Sequence, residues 1–87
     1  MEKVFVITET YVFEDGIYVK TSCYSTMEKA KDAFKFIVNR EKKDTWINTW
    51  DKDELNVEEC ETYYNVFVDG RALEYETTIK IEEKEIW

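Results

Sequence analysis

"STMEKAKDAFKFIVNREKK", residues 25–43, decides the fold. It opens on Ser25-x-x-Glu28, a capping box in which each side chain satisfies a free backbone N–H of the other residue. Met27, Ala30, Ala33, Phe34, Ile37 and Val38 then recur at three- and four-residue spacing, which places them on one apolar stripe. Lys29, Lys31, Lys35, Arg40, Lys42 and Lys43 fall off that stripe, and the last three stand where a helix C-terminus favours cations. The spacing predicts one helix with a single face to bury.

The sequence on either side supplies the surface to bury it against. Upstream, "VFVITETYVFEDGIYVKTSCY" (residues 4–24) reads as two strands joined at Glu14-Asp15-Gly16, with β-branched and aromatic residues in both arms. Val4-Phe5-Val6-Ile7 is apolar at every position, which predicts a strand central in its sheet. Downstream, "CETYYNVFVDGRALEYETTIKIEEKEIW" (residues 60–87) reads as a second hairpin turning at Asp69-Gly70. A two-residue turn there sets Val68 opposite Arg71, Val66 opposite Leu73 and Tyr64 opposite Tyr75. Alternation then gives a core face of Cys60, Tyr64, Val66, Val68, Leu73, Tyr75, Ile79 and Ile81. Glu61, Tyr63, Asn65, Phe67, Ala72, Glu74, Glu76, Thr78 and Lys80 take the other face. The expected architecture is α+β: a four-stranded antiparallel sheet in β-β-α-β-β order, one domain over residues 1–87, with one main helix on one face.

Residues 44–59 stay open between a short second helix and a loop pinned by its rings. Trp46 and Trp50 are four apart, so a helix stacks them on one side beside Ile47. Both are read as a lid on the core rather than a grip on a partner.

The chain has 87 residues, a net charge of −8, no proline and two glycines. Residues 1–43 hold 7 acids and 8 bases, whereas residues 44–87 hold 13 acids and 4 bases. The acidic half repels nucleic acid, since each phosphate contact needs a Lys or Arg, and it suits a protein with a basic surface. The start, "MEKVFVITETYVF", has no signal-peptide pattern, and no run approaches the roughly 18 apolar residues of a membrane span. A soluble, cytoplasmic protein is expected. Cys23 and Cys60 are read as small buried hydrophobes and not as a disulfide.

Val4-Phe5-Val6-Ile7-Thr8 and Tyr24-Ser25-Thr26-Met27-Glu28-Lys29-Ala30 resemble a group of small phage and bacterial proteins. These open with a Val-Tyr-Val-Val-Thr strand and a hairpin, and start their helix on Phe-Ser-Thr-x-Glu-Lys-Ala. The resemblance covers about a third of the chain and implies a fold and a mobile-element setting, with no activity and no functional residues.

Little chemistry is on offer. The chain has no histidine, which removes the commonest general base and most zinc sites, and both glycines belong to turns. Asp51-x-Asp53-Glu54 is part of a calcium-loop pattern without its glycine or distal glutamate. Neither catalysis, nor a metal, nor a cofactor is expected.

What remains is a binding surface. Tyr63 and Phe67 share the second hairpin's outer face, rimmed by Glu61, Glu74 and Glu76. Three uses are open for this face: cover by residues 44–59, a homodimer through two sheets, or aromatic anchors with an acidic rim for a basic protein. Trp46, Trp50, Asp51, Asp53 and Glu54 form a secondary candidate. The expected function is a non-catalytic, protein-binding inhibitor of the anti-defence or nucleic-acid-mimic kind. A homodimeric structural or small-ligand-binding domain is the alternative.

Overall fold

The computed structural model describes residues 2–70 and 74–86. The chain runs β1 (Glu2–Phe13), β2 (Gly16–Tyr24), α1 (Met27–Lys42) and α2 (Thr45–Thr49). A 3-10 turn (Lys52–Glu54) then leads into β3 (Leu55–Glu59), β4 (Tyr63–Val68) and β5 (Glu76–Ile86). The five strands form one antiparallel sheet in the order β2-β1-β5-β4-β3. The α+β class and the main helix stand as expected. The four-strand count does not: Leu55-Asn56-Val57-Glu58-Glu59 adds an edge strand paired with β4. The short helix at the start of the 44–59 stretch is α2, capped by the Asp44 carboxylate, which accepts from the Trp46 backbone N–H at 3.1 Å.

α1 starts one residue later than the capping box implies. Thr26 is the N-cap, accepting from the Lys29 backbone N–H at 3.1 Å. Tyr24 still belongs to β2 and packs against the core, so Ser25 is used to turn the chain from sheet to helix. Ala30, Phe34, Ile37 and Val38 are buried as the stripe predicts. They lie over Ile7, Tyr64, Val66, Ile79 and Ile81, which project from β1, β4 and β5. Each such side chain contributes about 1.5–3 kcal/mol by leaving water. These contacts settle the two faces of the sheet. Odd residues of β1 and β5 and even residues of β2 and β4 face α1, since residues opposite one another share a face.

The second hairpin corrects its predicted pairing. Tyr64 lies opposite Ile79 and Val66 opposite Thr77, a slip of four residues from the tight-turn register. Arg71, Ala72 and Leu73, the expected partners across the turn, lie outside the described residues. A slip of four is even, so the paired residues of β4 and β5 keep their expected faces. The cause is tertiary: the Tyr75 ring stacks on Trp46 (centroids 6.2 Å apart) and meets Trp50 (5.5 Å) instead of pairing with Tyr64. Gly70, at φ +77°, carries the chain out of β4. In the first hairpin Phe13 lies opposite Gly16, so Glu14 and Asp15 form the turn and the positive φ falls on Gly16. Cys23 and Cys60 are both exposed and free, against the buried reading: Cys23 lies on the face away from α1, and Cys60 precedes β4.

Candidate functional site

The predicted aromatic face is only partly assembled. Tyr63, Phe67 and Glu76 do share the sheet face turned away from α1, with Phe67 opposite Glu76. Glu61 turns the other way and accepts from Lys31 Nζ of α1 at 3.1 Å. Glu74 precedes β5, so it does not form an extended acidic pair with Glu76. Tyr63 and Phe67 are half-buried among their strand neighbours rather than prominent. Asn65, between them, is buried, and its amide donates to Glu76 at 3.0 Å and Thr78 at 2.9 Å.

Residues 44–59 fold onto the α1 side and leave that face bare. Trp46 is the lid foreseen: its ring meets Phe13 edge-on at 6.1 Å, and its Nε1–H donates to Glu41 at 3.2 Å. Trp50 sits half-buried beside Tyr75. Past it, α2, β3 and β4 leave a groove of about 580 Å³ lined by Ile47, Trp50, Leu55, Val57, Tyr64 and Val66, with Lys42 and Asn48 at its polar side. Val57 is 56% exposed there, a large apolar side chain open to solvent. Carboxylates flank the groove in the chain: Asp51 follows Trp50, and Asp53 and Glu54 precede Leu55, whereas Glu58, opposite Asn65, turns to the other face of the sheet. All four are exposed. Glu59 is tied to Lys42 at 2.8 Å, and Lys42 also lies over the Tyr64 ring, 5.8 Å from its centroid. Burial pushes the Tyr64 hydroxyl up to about 12, helped by the nearby Glu41 and Glu59 charges, so it stays protonated.

Two buried carboxylates were not foreseen. Glu9 is 1% exposed and accepts from the Tyr11 hydroxyl and from Arg40 Nη2 at 3.2 Å. Glu41 is 5% exposed and accepts from Trp46 Nε1 and Thr77 Oγ1, each at 3.2 Å. Burial raises the Glu41 carboxyl above the usual carboxylate range, and the bonds from Trp46 and Thr77 offset part of that rise. Burial, reinforced by Glu9, raises the Tyr11 hydroxyl as well. The signal was present in the sequence: Glu9 is in phase with Ile7 in the alternation of β1, and Glu41 lies one helical step beyond Ile37 and Val38. Both border a shallow cleft of about 350 Å³ shared with Tyr18, Lys20 and Asp44. Their named partners are internal, so the network ties α1 and α2 to the sheet. Among the described residues no group of three His, Cys, Asp or Glu side chains could hold a metal ion, and no helix is long and apolar enough to cross a membrane.

Compared with protein-family models, curated proteins and solved structures, the chain finds no match.

Proposed function

We propose that the chain is a non-catalytic binding module that holds a basic protein surface through the groove beside β3. The observation that carries this reading is an apolar groove of about 580 Å³ flanked in the chain by exposed carboxylates. Interfaces draw affinity from a few apolar anchors seated in pockets, while rim charges steer and select the partner. Here Leu55, Val57 and Trp50 offer the pocket, and Asp51, Asp53 and Glu54 offer the rim. A partner with Lys or Arg around one protruding apolar side chain fits both parts. A nucleic-acid enzyme has such a basic surface, which keeps inhibition by occupation of a nucleic-acid channel as the specific form of the proposal. The site lies on the opposite face of β4 from Tyr63 and Phe67, the face first favoured by the sequence.

The test is binding of basic nucleic-acid enzymes by calorimetry at low and high salt, using the native chain, an Asp53→Asn/Glu54→Gln variant and Val57→Asp. Steep weakening with salt, a further loss with the double amide variant, and loss with Val57→Asp support the reading. Binding that ignores salt and both variants, or no binding to any basic enzyme at low salt, refutes it.

A further inference from the structure

We infer that two copies of the chain meet through the sheet faces turned away from α1, forming a two-sheet sandwich. The inference rests on that open face alone and is independent of the groove. β1 is apolar on both faces, but only one is covered within the chain. Ile7 is fully buried under α1, while Val4 and Val6 project from the opposite side. Towards the other end of the same face, opposite Val12 and Thr10, Ile17 and Val19 on β2 are 67% and 62% exposed. Among the described residues nothing folds over this surface. Exposed apolar side chains gathered on one sheet face mark an interaction surface.

Charge selects a second copy as the occupant. The chain carries −8 overall, yet the open face is nearly neutral. Among the described side chains it presents Glu76, Lys80, Glu82 and Lys84 on β5 and Glu58 on β3, a balance of three acids against two bases. Glu82 is held by both lysines at 3.1 Å, which lowers its carboxyl below the usual range. A row carrying both signs is self-complementary under a two-fold axis. A basic partner gains little on this face, and two copies meeting through it bring little net charge together.

The area is also of the right size. A strand residue covers about 16 Å² of sheet, from a ~3.4 Å rise and a ~4.8 Å strand spacing. The 12, 9 and 11 residues of β1, β2 and β5 therefore offer roughly 500 Å², and β4 and β3 bring the face to about 700 Å². Stable dimers bury about 800 Å² of accessible surface per partner, and corrugated side chains present more than the projected area.

The chain carries its own probe. Cys23 lies opposite Val6 and so on the open face, whereas Cys60 lies outside it, beside Thr62, and both are exposed. Light scattering across a wide concentration range is expected to give twice the chain mass for the native protein. The reaction of Cys23 with a disulfide reagent, followed in a Cys60→Ser variant, is expected to slow several-fold as the dimer fills. Cys60, followed in a Cys23→Ser variant, keeps its rate. Ile17→Lys/Val19→Lys is expected to run at the monomer mass with an unchanged far-UV spectrum. If that variant does not fold, the contrast between the two thiols decides alone. A native chain that stays monomeric, a dimer that survives the lysine substitutions in a folded variant, or equal slowing of both thiols would overturn the inference.

Discussion

Arg40→Ala tests the energetics of the fold most directly. Glu9 is 1% exposed, and its carboxylate is held by Arg40 at 3.2 Å, while the Arg40 side chain is itself 52% exposed. At this distance two unit charges attract by about 5 kcal/mol in a medium of effective dielectric ~20 and by about 1 kcal/mol in bulk water. Arg40 lies between those limits, and water enters the space it vacates. We therefore expect a loss of about 2 kcal/mol, below the roughly 3–5 kcal/mol lost when a fully buried pair is broken. For a chain of this size that lowers Tm by about 10 °C. Glu9→Gln removes the charge and keeps an acceptor for the Tyr11 hydroxyl, so its cost is about 1 kcal/mol. The double variant should lose less than the two single losses together, by about 1 kcal/mol, because the single arginine variant strands a buried charge. Urea unfolding at neutral pH measures all three. Lys42→Ala is the control: its pair with Glu59 at 2.8 Å is close to half exposed at both ends, and about 1 kcal/mol is the most it should cost. If Arg40→Ala unfolds like the native chain, or the cycle shows no coupling, the claim that Arg40 holds the buried carboxylate in place is refuted.

Three further outcomes follow from the same packing. The folded state binds the Glu41 proton more tightly than the unfolded chain does, so this group's contribution is complete below the ordinary carboxylate range and is lost as pH rises through its raised value. Glu41→Gln should remove that dependence, and urea unfolding of both proteins over a pH series checks it: a stability difference that stays constant with pH contradicts the assignment. Trp46→Ala is expected to cost about 2–3 kcal/mol by uncovering Phe13 and Tyr75, and Trp46→Phe about 1 kcal/mol by leaving Glu41 one donor short. Equal losses in the two variants would show that the ring packing contributes nothing, and a Trp46→Phe variant as stable as the native chain would show the same of the hydrogen bond. Gly70 has φ +77° with no atom within 4 Å of an added Cβ, so Gly70→Ala should cost about 1–2 kcal/mol from backbone strain alone. Thermal unfolding of Gly70→Ala and Gly70→Asn, the latter losing less, separates strain from a clash.

Periodicity made the helix, both hairpins and the facing of their side chains legible, because a stripe or an alternation is a local property of the chain. Local turn rules could not see that Tyr75 has a better partner in Trp46 than across the turn, so the hairpin register was missed by four residues. The acidic composition of Leu55-Asn56-Val57-Glu58-Glu59 hid its alternation, and with it the edge strand and the groove it borders. Glu9 and Glu41 occupied core-phase positions, but residue type alone argued for surface. Only the approach of Arg40, Tyr11, Trp46 and Thr77 makes their burial tolerable.

By itself the sequence determined that this chain is an α+β unit with one amphipathic helix, two hairpins and its acidic charge gathered in one half. Hydrophobic periods and net charge are sums over neighbours in the chain, and they survive without knowledge of the fold. The strand order that seats β5 beside β1, the side on which residues 44–59 close, and the sheet face left bare were decided by tertiary structure. Each depends on which distant residues meet, and burial and pairing are properties of those meetings rather than of the residues alone.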